Sequence, residues 1–211
     1  MNPPDDAALR QQIIRAARSL FARGLTHGST GNLSVRSGAH LLVTPTGSSL
    51  GTVEAHDLSV IDLHGRPVDG PRPSKEAFLH AAMLRARSGA NAVVHTHSTH
   101  SVAVSCLADT DQDDVLPPLT AYYAMRVGSL PLLDFHAPGD RALESAAEHL
   151  ARDHSALLLR NHGPVVAAAS LGEALDAIEE LEETAKLFLL LRGMRTRPLT
   201  PAQRTALRTP H

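Results

Sequence analysis

The chain has 211 residues, with 20 Lys and Arg against 22 Asp and Glu and a formal net charge of −2. That near-neutral balance gives no reason to expect nucleic acid or an anionic membrane surface as a partner. Hydrophobic residues make up 43% and aromatics only 3%, with no Trp, so a globular core has to be assembled from Ala, Val and Leu.

Asp5 or Asp6 stands where it can cap a first helix. The apolar positions Leu9, Ile13, Ala17, Leu20 and Phe21 recur at helical spacing, and Gly24 ends the run. A loop of glycine and small hydroxyls follows, Thr26-His27-Gly28-Ser29-Thr30-Gly31-Asn32. Residues 33–35 and 41–44 read as two short strands of a hairpin. Thr44-Pro45-Thr46-Gly47-Ser48-Ser49 is a second small-residue loop. Residues 58–63 form a strand that turns at His64-Gly65.

A helix is expected over 74–87, with Ser74 as its cap. Residues 92–97 form a strand whose first half is too apolar for a sheet edge. Helix is expected over 98–107, an acidic loop over 109–114, helix over 116–127, strand over 130–133 and helix over 139–153. Two strands, 156–159 and 165–168, flank Arg160-Asn161-His162-Gly163-Pro164. The longest helix runs over 171–191. Without repeats or a long linker, the chain reads as one α/β domain over 1–211 around a partly antiparallel sheet. Its basic tail, about 194–211, is expected to be loose.

The single cysteine, Cys106, rules out an internal disulfide and reads as a small buried hydrophobe. There is no apolar run of about 18 residues to span a membrane, and the N-terminus does not resemble a signal peptide. A cytoplasmic location is expected.

His95 and His97 carry the sharpest chemical signal among the 13 histidines. Residues two apart on a strand share a face, so two imidazoles converge, as a transition metal requires. Taken alone, such a pair also fits surface or core histidines. His162, in the Asn161-His162-Gly163-Pro164 turn, is the best third ligand. Glu76 reads as a metal ligand or general acid/base, or as a plain first-turn acidic residue. Glu76 with His80 is a rival constellation, and His100 ranks below the pair. Lys75 and the three small-residue segments, 28–32, 44–49 and the 74–75 helix start, form a possible phosphate cradle.

The ordered set Gly28-Ser29-Thr30-Gly31-Asn32-Leu33-Ser34, Thr44-Pro45-Thr46-Gly47, Pro73-Ser74-Lys75-Glu76, Val94-His95-Thr96-His97 and Asn161-His162-Gly163 resembles the class II aldolase/adducin family across nearly the whole chain. The resemblance implies a three-layer fold with a central sheet flanked by helices. It implies one Zn²⁺ per subunit, or another divalent metal, on His95, His97 and His162, with Glu76 as acid/base and further ligand. Ser29, Asn32, Gly47 and Ser74 match phosphate-binding positions, with Lys75 beside them. A homotetramer with sites near subunit boundaries is implied as well.

Within the family, residues 117–128, 161–166 and 179–186 look more like the branch that decarboxylates 3-oxo-tetronate 4-phosphates than the L-fuculose-phosphate aldolase branch. The aldolase has a second serine where Lys75 stands. The resemblance therefore implies a phosphorylated sugar-acid substrate, converted to dihydroxyacetone phosphate and CO₂ through an enediolate. An aldolase or epimerase acting on fuculose 1-phosphate or ribulose 5-phosphate is the alternative. An adducin-like binding module with a dead site is a third reading.

Overall fold

Alternation along the strands decides which half of the core each side chain joins. The computed structural model describes residues 6–207, with side chains from residue 7; the expected Asp5 or Asp6 cap lies outside the described side chains. The strands are β1 (Asn32–Ser37), β2 (His40–Val43), β3 (Ser59–Asp62), β4 (Pro67–Asp69), β5 (Ala92–His95), β6 (Leu132–Leu133), β7 (Ala156–Leu159) and β8 (Gly163–Ala168). They form one eight-stranded sheet in the order β4-β3-β2-β1-β5-β8-β7-β6. Every pairing is antiparallel except β6 with β7. As its apolar sequence demanded, β5 sits in the centre, between β1 and β8.

Leu33 and Val35 of β1, Leu42 of β2, Val94 of β5 and Val166 of β8 enter one core cluster with Ile13 and Leu20 of α1 (Asp6–Ala22). Val104 of α3 (Thr99–Ser105), Tyr123 of α4 (Ala121–Arg126) and Ile178 and Leu181 of α6 (Leu171–Leu190) complete that layer. The alternate residues Leu41, Val43, Val93, Leu157 and Val165 face a second cluster. There they meet Leu79 and Met83 of α2 (Ala77–Ala86) and Leu143 and Ala147 of α5 (Leu143–Leu150). The result is three layers, helices on both faces of a sheet, each half mostly aliphatic. The largest fully buried side chains are mostly Leu and Ile, and Tyr123 is the one aromatic among them.

Several expected elements are shorter or start later. Helix α2 begins at Ala77, so Ser74 does not cap it; Glu76 occupies the N-cap position. The cause is the strand-like pairing just before it. Pro73 bridges to Pro45, and the Ser74 amide bonds to the Thr44 carbonyl at 3.2 Å. The helix expected over 116–127 forms only as α4, because Pro117 and Pro118 hold the preceding chain out of helical conformation. Helix α5 starts at Leu143, after a turn in which Gly139 has φ +90°. Strand β4 was not expected; it is a short, exposed edge strand that begins at Pro67, a position that suits a residue lacking an N–H. The tail is not wholly loose. Helix α7 (Pro201–Ala206) carries a Thr200–Gln203 capping box, and Arg204 reaches the Gly128 carbonyl at 3.0 Å. Cys106 is exposed at the end of α3, not buried.

Candidate metal centre

His95 is the last residue of β5, in register with Asn32 of β1 and Val165 of β8. It is fully buried. Its Nδ1–H donates to the carbonyl of Pro164 at 2.8 Å, which turns Nε2 toward the other imidazoles. His97 lies beyond the strand end, in the connection to α3, not on the strand as the sequence suggested. Convergence therefore comes from the connection's path rather than from strand alternation.

His162 sits in the turn between β7 and β8. Asn161 before it has φ +55°, a left-handed conformation that Asn tolerates better than most residues. Gly163 after it lies so close to the β5 connection that a Cβ there would fall 2.3 Å from the Thr96 carbonyl oxygen. The two ligand-bearing segments are thus packed backbone against backbone, with the Thr96 amide bonded to the Pro164 carbonyl at 3.2 Å.

The three imidazoles point inward to one place. His97 Nε2 is 3.1 Å from His95 Nε2 and 3.1 Å from His162 Nε2. The rings stand edge to face at centroid distances of 4.6–4.9 Å. One His97 nitrogen cannot hydrogen-bond both neighbours at once, so at least one of the two contacts sets nitrogens together without a hydrogen bond between them. A cation resolves that conflict. Nitrogen ligands at about 2.1 Å in a tetrahedral array are about 3.4 Å apart, close to these spacings. The donor set fits a divalent transition metal better than a network of neutral rings.

Glu76 closes the fourth side. Its Oε1 is 3.1 Å from His162 Nε2 and its Oε2 is 3.4 Å from His95 Nε2. Asn32 Nδ2 donates to Oε2 at 3.0 Å. Burial alone would push this carboxyl up, but His95, His162 and the Asn32 amide together hold it at about 2. Burial, with the neighbouring His95, lowers His97 to about 3 and His162 to about 4. Both rings are therefore neutral near pH 7, the state a metal ligand needs.

The rivals are engaged elsewhere. His80 is fully buried with Nδ1 at 2.8 Å from Ser34 Oγ, and burial lowers it to about 3. His100 Nδ1 meets Glu182 at 2.8 Å. Among the described residues, His95, His97 and His162 form the group whose ligand atoms all lie within 4.8 Å of one another.

The small-residue segments are adjacent but do not share a described cavity. The Thr46 amide bonds to the Arg72 carbonyl, which joins the Gly47 loop to Ser74, and Thr44 pairs with Leu33, next to Asn32. Ser29, Gly47 and Lys75 are exposed. The Asn32 side chain is turned to Glu76 rather than outward. A cavity of about 430 Å³ opens instead beside His97 and His162, lined by His27, Phe135, His136 and Asn161. Sequence reasoning missed these four, and only the placement of His27 and Asn161 in quoted motifs pointed to them. A larger cavity, about 710 Å³, lies at Arg87, Arg126 and Arg152 and shares no residue with the histidine site.

The model of the class II aldolase and adducin N-terminal domain matches residues 11–189. The chain belongs to that family. It is 44% identical over 205 residues to the 3-oxo-tetronate 4-phosphate decarboxylase of Escherichia coli (strain K12), covering 97% of each chain. It is 35% identical over 181 residues to the L-fuculose phosphate aldolase of Methanocaldococcus jannaschii, covering 86% of this chain and 96% of that one. The crystal structure of YgbL from Escherichia coli superposes with a TM-score of 0.94 at 42% identity, covering 98% of this chain and all of that one. The three-layer α/β fold of the family is the fold described above.

Proposed function

We propose that this chain is a metal-dependent carbon–carbon lyase that decarboxylates a 3-oxo-tetronate 4-phosphate to dihydroxyacetone phosphate and CO₂. The observation that carries the reading is the convergence of His95, His97 and His162 on one point, with the Glu76 carboxylate held ionised against it. The relatives that are 44% identical along almost their whole length carry that decarboxylase name, while the aldolases are more distant.

The substrate is a β-keto acid. When its C1–C2 bond breaks, the carboxylate leaves as CO₂ and the electron pair enters a C2–C3 double bond, giving an enediolate. Zn²⁺, or another divalent cation held by the three histidines, supplies Lewis acidity that offsets the developing negative charge. Glu76 stands beside the three histidines, with Oε1 at 3.1 Å from His162 Nε2 and Oε2 at 3.4 Å from His95 Nε2. Decarboxylation consumes one proton, so Glu76 would relay a proton drawn from solvent to C2 while the C2 hydroxyl keeps its own, which completes dihydroxyacetone phosphate. Asn32 keeps its carboxylate aimed. Ser29, Gly47, Ser74 and Lys75 form the phosphate end in this reading.

A binding module would have no use for four ionisable side chains gathered around one point, two of them buried, which argues against the adducin-like alternative. The aldolase or epimerase alternative differs in what leaves. Purified protein should release CO₂ and dihydroxyacetone phosphate from a 3-oxo-tetronate 4-phosphate and cleave fuculose 1-phosphate far more slowly; the reverse order would make it an aldolase. Among the described residues no helix is long and apolar enough to cross a membrane, which is compatible with a cytoplasmic enzyme. A homotetramer would cover the apolar side chains left exposed on α4 and α6, Tyr122, Met125, Leu187 and Leu190.

A further inference from the structure

Glu182 is a charged residue placed where charge is costly. It lies on α6, in the layer remote from Glu76, and only 6% of its surface is exposed. Its carboxylate accepts four hydrogen bonds from one short stretch of chain. Oε1 takes the His100 amide at 2.9 Å and His100 Nδ1 at 2.8 Å. Oε2 takes the Ser101 amide at 2.8 Å and Ser101 Oγ at 2.6 Å. Those amides belong to the first turn of α3. The local cap residue, Ser98, makes no side-chain cap bond. A carboxylate from another helix does that work instead, with the added attraction of an anion for a helix N-terminus.

The placement of α3 matters because of what precedes it. His97 lies two residues before Thr99, outside the β5 ladder. On one side of His97 the Thr96 amide is tied to the Pro164 carbonyl at 3.2 Å. On the other side, past the Ser98 hydroxyl that meets Thr96 Oγ1 at 3.2 Å, stand the two Glu182-bound amides. Thr99 and Val102 of α3 also line the cavity beside His97 and His162. Burial would raise the Glu182 carboxyl, but the bonds from Ser101 and His100 outweigh it and hold it below its ordinary value, so the cap is charged at neutral pH.

We propose that Glu182 is a positioning residue for the metal ligand His97, acting through the first turn of α3. The inference rests on the metal reading above. Neighbouring α6 carboxylates make other attachments that do not lead to the histidines. Glu179 pairs with Arg23 of the segment after α1, and Glu180 accepts from Thr120, the cap of α4, at 2.8 Å. They supply the control.

The test uses the full-length protein loaded with cobalt, whose visible bands report ligand geometry, together with chelator competition for the metal. Glu182→Gln keeps the shape but turns an NH₂ group toward N–H donors. It should weaken metal affinity by about 10- to 100-fold, the usual effect of losing a group that orients a ligand, and shift the cobalt bands. Ser101→Ala, which removes one of the four donors, should produce a smaller shift in the same direction. Thr120→Ala should lower the melting temperature while leaving both metal readouts as in the wild type. If Glu182→Gln does not fold, Ser101→Ala decides by the same two readouts. Cobalt bands and affinity within twofold of wild type, in variants that melt earlier, would reduce Glu182 to a structural cap. A wild-type protein that takes up no cobalt would instead overturn the metal reading, and this one with it.

Discussion

The Nδ1–H of His95 donates to the carbonyl oxygen of Pro164 at 2.8 Å. Pro164 follows the turn that carries His162, so one hydrogen bond sets the orientation of one ligand against the segment that holds another. The site is built at the junction of two strand ends, β5 and the β7–β8 turn, and its geometry depends on their backbones staying in contact.

Gly163 is the point of closest approach. A Cβ there would lie 2.3 Å from the Thr96 carbonyl oxygen, and backbone on both sides has little room to yield. Gly163→Ala should destabilise the protein by about 1–3 kcal/mol, as overpacking does, and should also lower metal retention, because His162 and His97 must move apart. Thermal melts and metal content after dialysis check this. Full metal retention with an unchanged melt would mean the two segments are not coupled.

Glu76→Gln should fold and keep much of its metal, since His95, His97 and His162 remain. Turnover should fall by about 10²–10⁴-fold, the range expected on losing a general acid/base. Activity within a few-fold of wild type would leave Glu76 as a helix-start residue with no part in proton transfer.

Glu182 gives a pH signature. Its carboxyl is lowered from an ordinary 4.5 by the four donors around it. A depressed carboxyl stabilises the fold above its unfolded value, and that contribution is lost as pH falls through the lower folded value. The melting-temperature gap between wild type and Glu182→Gln should therefore be widest at neutral pH and shrink below about pH 4.5. A gap that does not change with pH would show that the charge is not what Glu182 contributes.

Lys75 is exposed and lies beside Gly139, in the loop whose Phe135 and His136 line the cavity. Decarboxylation drains charge from the substrate carboxylate, so a lysine gripping it would favour the ground state. A lysine on the phosphate would mainly aid binding. Lys75→Met should raise KM or lower kcat/KM without raising kcat. A faster kcat would place the lysine on the carboxylate and reverse the orientation of the substrate.

Most strands, the long α6 and the histidine set were legible because each has a local signature: short apolar stretches in 33–35 and 41–44, helical spacing in α6, and His-x-His at the end of an apolar run. What was not legible depends on tertiary contact. The pairing of Pro73 with Pro45 delays α2 and moves Glu76 to the cap position. Asn32 is read from sequence as a phosphate contact, yet its amide meets Glu76, 44 residues away. His27 and His136 reach one cavity only because separate loops converge. The order within 194–207 comes from Thr200 capping α7 and from Arg204 docking on Gly128, neither of which leaves a hydrophobic pattern.

In the proposed reaction, decarboxylation depends on a metal held by His95, His97 and His162. The most direct measurement is metal content and CO₂ release from a 3-oxo-tetronate 4-phosphate, compared between wild type and His162→Ala. The wild type should carry about one divalent metal per chain and release CO₂ and dihydroxyacetone phosphate in equal amounts, and His162→Ala should lose most of the metal and nearly all turnover, as removal of one of three protein ligands predicts. Full metal content and full CO₂ release in His162→Ala would contradict the site.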